Sequence, residues 1–231
     1  ALENDDAVIS RLKTSCIRVY KADLNDSSWP DVLKDETPFD VVIAADVLEH
    51  LYDPWSVLRQ MKGLVGDEGY VVISLPHAGY NGLIAGLLDE DLEYRDCGLL
   101  DQTHIRFFGI KNMQALFEDA GLAIVDAQFV IRFPEDTEFA EAWAKTSAPA
   151  RTLLLKNRFG PVYQVVAKAV SNESASHSLS LLELPDDGLD RNASVSPLSV
   201  TGSGTVPEDG PDTTRAPGTR LAPRSNDSPN D

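Results

Sequence analysis

Residues 171–231 of this 231-residue chain contain no Phe, Tyr or Trp. They hold seven of the fourteen prolines, eleven serines, and four Arg against ten acids. Such a segment cannot bury enough apolar surface to offset its chain entropy, so it is expected to be a disordered acidic tail. That leaves residues 1–170 as the expected folded domain. Long apolar runs are lacking too. Nothing approaches the ~18 consecutive apolar residues of a membrane span, and no membrane partner is expected. The start, Ala1-Leu2-Glu3-Asn4-Asp5-Asp6, has neither the basic opening nor the apolar run of a signal peptide. Positive charge is scarce, 20 Lys+Arg against 37 Asp+Glu. A net charge of −17 argues against a nucleic-acid groove, which depends on neutralising phosphates. Cysteine is nearly absent. Cys16 and Cys97 lack metal-type spacing and read as buried thiols in a reducing cytosol, which gives a cytoplasmic expectation.

What is present alternates short apolar runs with helical periods, the pattern of an α/β domain. Ile17 to Ala22 reads as a strand ending at Asp23-Leu24-Asn25-Asp26. Phe39 to Ala45 is almost continuously apolar, as for a parallel strand covered on both faces. Asp53-Pro54 is an N-cap followed by Pro at the first helical position. The helix then shows one apolar face, Val57, Leu58, Met61, Leu64 and Val65, with Gly66 as its stop. Tyr70 to Leu75 is a buried strand. Lys111 to Ala120 reads as a helix stopped by Gly121, and Leu122–Ile131 and Pro161–Val170 as strands with helical structure between them. Residues 77–110 are less regular, with an apolar patch from Leu83 to Leu88. The series predicts a doubly wound, mostly parallel sheet with its ligands beyond the C-terminal strand ends. Those ends are Glu3, Asp23-Leu24, Asp46 to His50 and Pro76 to Asn81. Three of the four carry carboxylates, which suit hydroxyls and amines better than phosphate.

Phe39-Asp40-Val41-Val42-Ile43-Ala44-Ala45-Asp46-Val47-Leu48-Glu49-His50-Leu51 resembles the fourth-strand motif of class I, Rossmann-like S-adenosylmethionine-dependent methyltransferases. Ala22-Asp23-Leu24-Asn25-Asp26 is similar to their third-strand motif, and Ala1-Leu2-Glu3-Asn4-Asp5 to the end of their second strand. Leu99-Leu100-Asp101-Gln102-Thr103-His104-Ile105-Arg106-Phe107-Phe108 resembles a later segment of a subgroup associated with polysaccharide and small-molecule modification. The resemblance implies S-adenosylmethionine as cofactor and an oxygen of a small-molecule or sugar-like acceptor as target. It implies that Glu3 accepts from the ribose hydroxyls and Asp23 from the adenine amino group, with Leu24 beside the ring and Asp46 closing the fourth strand near the cofactor. The family's first strand ends in a Gly-rich turn. No Gly-x-Gly-x-Gly sequence occurs here, so the first strand and helix are expected to be missing from residues 1–170.

Chemistry on the acceptor side points to histidine. Methyl transfer to a hydroxyl needs an aligned nucleophile and a group to help remove its proton. A His titrating near ~6.5 suits that task. His104 is one candidate, with Asp101 and Arg106 as partners, and His77 after Pro76 is the other. The competing reading makes residues 101–104 a hydrogen-bonded turn that sends Phe107 and Phe108 into the core. Asp46, Glu49 and His50 fall on one face of a helical turn and suit a divalent cation. The reading preferred is that Glu49 and His50 cap and orient the turn, with no metal. Tyr80 and Trp55 are candidates for stacking or for packing, and Phe139 and Trp143 for a substrate wall. Two rivals stay open. One is a non-catalytic methyltransferase-like scaffold. The other is a nicotinamide-linked oxidoreductase, disfavoured because no Tyr-x-x-x-Lys pair follows the fourth strand.

Overall fold

The computed structural model describes residues 1–184. Six strands are present: β1 (Leu2–Glu3), β2 (Tyr20–Lys21), β3 (Phe39–Ala45), β4 (Val65–Pro76), β5 (Leu122–Ile131) and β6 (Val162–Ser171). Between them lie the helices α1 (Asp6–Leu12), α2 (Pro54–Lys62), α3 (Asn81–Leu88), α4 (Ile110–Asp119), α5 (Ala140–Lys145) and α6 (Ala148–Leu154). β1 and β2 pair parallel in a small sheet, and the main sheet has the order β3-β4-β6-β5. The α/β class is borne out. Parallel pairing holds for β1/β2 and β3/β4, whereas β6 runs antiparallel to both β4 and β5.

The sequence pattern explains most of these elements. The Asp53 carboxylate accepts from the Ser56 amide at 3.0 Å and caps α2, with Pro54 opening the helix. α2 ends at Lys62 with Gly63 as its cap, three residues before the expected stop at Gly66. Val65 and Gly66 belong instead to β4, which carries a register irregularity opposite Phe39–Val41. Gly121 ends α4 with φ +71°, a left-handed turn that favours glycine. The apolar patch at Leu83–Leu88 is α3. The strand expected over Ile17–Ala22 contracts to Tyr20–Lys21, and Ile17 is fully exposed.

The core forms where α2 and α4 cover the main sheet. Leu58, Met61, Met113, Leu116 and Phe117 meet Val71, Ile73, Ile124 and Val165. β3 departs from the expectation of burial on both faces. Only its Ala44 is buried, and Ile43 is 67% exposed. The reason is that β3 pairs only with β4 among the described strands. Its other side borders a largely apolar cavity of about 680 Å³, shared with Leu2 and Tyr20 of the small sheet and Leu24 just beyond it. In the doubly wound strand order 3-2-1-4-5, the first strand falls between the second and the fourth. No described strand fills that interval here.

Residues 172–184, assigned to the tail by composition, pack on the domain instead. Leu181 is fully buried, its amide donates to Gln114 Oε1 at 3.0 Å, and the Leu179 amide donates to the Ile124 carbonyl at 2.7 Å. An apolar Leu179/Leu181/Leu184 pattern reaches the main core. The rest of the expected tail lies outside the described residues. No helix among the described residues is long and apolar enough to cross a membrane.

Candidate active site

β3 delivers its chain to a sharp turn at Asp46, whose φ of +52° is uncommon for a residue with a side chain. Hydrogen bonds hold the turn. The Asp46 amide donates to Ser74 Oγ at 2.9 Å, and its Oδ1 accepts from Ser74 Oγ at 3.1 Å and from Gln164 Nε2. A single 3₁₀ turn, Leu48–His50, follows. Leu48 anchors it in the core, and Glu49 is wholly buried beside it.

The segment around His104 comes to this turn through backbone bonds. The Glu49 carbonyl accepts from the amides of both Ile105 and Arg106 at 3.0 Å. The Arg106 guanidinium donates to the Tyr52 carbonyl. As a result His104 Nε2 lies 3.8 Å from Glu49 Oε1, and the His50 and His104 rings meet edge-on at 4.7 Å. His104 Nδ1 lies 3.2 Å from the Leu99 carbonyl, which accepts its proton and leaves the lone pair on Nε2. His50 Nδ1 faces the Thr103 carbonyl at 3.2 Å and Thr103 Oγ1 at 2.9 Å, while that hydroxyl donates to Asp101 Oδ1 at 2.6 Å. His50 therefore also carries its proton on Nδ1.

Electrostatics follow from burial. Desolvation pushes the Glu49 carboxyl up to about 7, and the negative charges of Asp46 and Asp101 push the same way. Desolvation lowers His104. Asp101 is held below its ordinary range by the Thr103 hydroxyl and amide. Both Glu49 carboxylate oxygens are buried without a hydrogen-bond partner. The groups line a cavity of about 310 Å³ with Pro76, Gly98, Leu99, Tyr163 and Gln164. Gly98 takes φ +91° there, where an added Cβ would meet Glu138 Oε1 at 2.6 Å.

The remaining sequence candidates separate. His77 is 3% exposed, its Nδ1 set 3.0 Å from the Val162 carbonyl and its ring against Gly79. It serves the core and does not line the cavity around His104. Arg106 and Asp101 do not set the His104 tautomer, because Leu99 does. Phe108 enters the core as expected, but Phe107 is 49% exposed. Tyr80, Phe139 and Trp143 are all buried, and Tyr80 and Phe139 share a side cluster with Leu83 and Leu99. The cysteines are not buried thiols. Both are free in loops, Cys16 half-buried and Cys97 exposed.

Glu3, Asp23 and Asp46 each stand at the C-terminal end of a strand. Asn25 Oδ1 accepts from the Tyr52 amide at 2.9 Å, tying the turn after β2 to the turn after β3. Glu3 Oε1 accepts from the amides of Asn4 and Asp5, and Asp23 Oδ1 from Asn25. Each carboxylate remains at the surface, where it can be reached.

Residues 7–127, just over half of the chain, match the family described as "Methyltransferase domain". The chain belongs to this family. It is a methyltransferase domain. Solved structures resemble it at lower levels. A Thermotoga maritima protein described as a possible histamine N-methyltransferase has 14% identity and a TM-score of 0.49, over 73% of this chain and 70% of that one. A methyltransferase-like protein of Bacillus halodurans has 13% identity and 0.48, over 73% and 80%. The neocarzinostatin-pathway O-methyltransferase, solved with S-adenosyl-L-homocysteine, has 14% identity and 0.43, over 74% and 40%. Likeness at this level says nothing of substrate. No curated protein matches the chain.

Whether the methyltransferase's residues fit its cofactor divides by half. Accessible carboxylates at the ends of β1 and β2 fit the ribose and adenine. No Gly-x-Gly-x-Gly turn stands ready for the methionine half. The hydrogen-bonded turn read over residues 101–104 is present, with Thr103 bonded to Asp101, whereas Ser74 and Gln164 escaped sequence reasoning. Asp101-x-Thr103 is a readable turn signal, whereas Gln164 arrives from β6 and leaves no local trace.

Proposed function

We propose that this methyltransferase moves a methyl group to an oxygen of a small, hydroxylated, sugar-like acceptor seated in the cavity beside Asp46. The observation that carries the reading is His104. It lies at the carboxyl edge of the sheet with its proton committed to Leu99 and its Nε2 lone pair facing Glu49. S-adenosylmethionine, when bound, supplies an electrophilic methyl on a sulfonium. Glu3 would hold the ribose hydroxyls and Asp23 the adenine amino group, with Leu24 against the ring and Asp46 closing the pocket between cofactor and acceptor. Alignment of the acceptor provides most of the acceleration. His104 Nε2 accepts the acceptor's proton as the new bond forms. His77, enclosed by the core, takes no part.

A cavity of about 310 Å³ suits a small acceptor. The test is transfer of labelled methyl to a panel of hydroxylated small molecules. His104→Gln is expected to lower kcat by about 10²-fold or more with cofactor affinity unchanged. An unchanged kcat would remove His104 from the chemistry. A second reading, a non-catalytic scaffold of methyltransferase shape, is favoured by the lack of a Gly-rich turn. It expects no transfer to any acceptor and no affinity for S-adenosylhomocysteine.

A further inference from the structure

α3 and α6 carry more apolar surface than the fold covers. A surface helix normally buries one apolar face, yet no residue of α6 is fully buried. The half-buried Leu154 ties it inward, against Ala85 of α3 and Ala142 and Trp143 of α5. Leu153 is 70% exposed, Leu155 is 55% exposed, and Leu88 at the end of α3 is 61% exposed. Leu88 and Leu153 belong to one surface. Leu88 and Asp89 border the same groove as Ala150, and Leu153 follows Ala150 at i+3, on the same side of α6. The Lys145 ammonium, 3.1 Å from Asp89 Oδ2, fixes the end of α3 against the start of this segment.

Charge divides this surface in two. Between Glu141 and Glu173 the chain has five cations and no acid, in a protein of net charge −17. Three of the five are engaged: Lys145 with Asp89 and Glu141, Arg158 with the Leu182 carbonyl, and Lys168 over the Tyr70 ring. Arg151 and Lys156 have no carboxylate partner among the described residues. Lys156 lies past the far end of α6, away from the groove at Leu88. Just after Leu88 come Asp89, Glu90, Asp91 and Glu93, with Arg95 paired to Glu93. The order along the surface is acids, leucines, cations. We propose that this face is a two-fold interface between two copies of the chain. A second copy turned about an axis through the leucines sets its acids on the first copy's cations, and the reverse, while the leucines of both are buried. An anionic lipid surface would attract Arg151 and Lys156 but be repelled by the acids beside Leu88. Pairing of the copies requires nothing of His104 or of the acceptor.

Sedimentation equilibrium of the full chain tests this. A dimer is expected by about 10 μM, since interfaces of ordinary size bind at micromolar affinity or better. Leu153→Asp should raise the dissociation constant about a hundredfold, because symmetry makes the change twice. The pair Arg151→Glu and Lys156→Glu should do the same, as should the pair Glu90→Lys and Asp91→Lys. Both pairs together exchange the charged halves and should return the constant to within about tenfold of wild type. That rescue is a result that mere damage to the surface would not give. Circular dichroism melting confirms that the variants fold. A monomer at every concentration up to about 100 μM overturns the proposal. So does a dimer indifferent to Leu153→Asp and to both charge reversals, which would pair through another face. Carbodiimide treatment of mixed light and heavy-isotope chains should link Lys156 to Glu90 or Asp91 between chains. Links from Lys156 only to acids of its own chain, or a monomer that sediments with phosphatidylserine vesicles, would give this face another occupant and overturn it as well.

Discussion

His77 and His104 show how one residue type takes opposite roles according to its surroundings. His77 follows β4 and His104 lies in the loop between α3 and α4, and both give Nδ1 to a backbone carbonyl. His104 opens on a cavity lined by carboxylates, whereas His77 is sealed in the core. Burial lowers the His77 pKa below its ordinary value. The unfolded chain therefore binds a proton near pH 6.5 that the folded chain takes up only at lower pH. The sign follows: His77 costs no stability well above pH 6.5, and stability falls as pH drops below it. Urea denaturation at pH 7.5 and pH 5.5 is expected to show a loss in the wild type that His77→Gln reduces. An identical pH dependence in both proteins would contradict the burial of this ring. The two roles were not separable in the sequence, where each histidine simply follows a strand or precedes an aromatic pair.

Elements were legible to the extent that their signals are local. The Asp53-Pro54 cap, the α4 stop at Gly121 and the bounds of β5 depend on neighbours in sequence and stand where periodicity puts them. The end of α2 was misread because Gly63 and Gly66 offer the same signal. Pairing of Val65 with Phe39 decides between them, and that is a tertiary contact. Composition erred at residues 172–184 for a related reason. A run poor in aromatics still docks when its leucines find a groove between α4 and β5. Leu181→Ala is expected to cost about 2–5 kcal/mol, the usual range for a buried leucine. Urea denaturation measures it, and a change under about 0.5 kcal/mol would show that this segment adds nothing to the fold. Gly98→Ala should also destabilise, since it combines a positive φ with a close approach to Glu138. Thermal melting of that variant reads the effect, and an unchanged Tm would deny the constraint.

For the whole molecule, the acidic balance and the carboxylate-rich sheet edge are one feature seen at two scales. A few acids are set at the ends of β1, β2 and β3, and many more are solvated surface. The resemblance in sequence identified those ends in order, but the association of His104 with Glu49 needed the fold. Residues 55 positions apart in the chain meet because one carbonyl binds two amides of the later loop. The central claim is that this methyltransferase holds its cofactor at that edge through Asp23 and its neighbours. Calorimetry with S-adenosylhomocysteine on the wild-type chain and on Asp23→Ala tests it most directly. One site per chain is expected, weakened about tenfold by the substitution, equivalent to ~1.4 kcal/mol for a lost hydrogen bond to a charged group. No binding, or binding indifferent to Asp23→Ala, would contradict it.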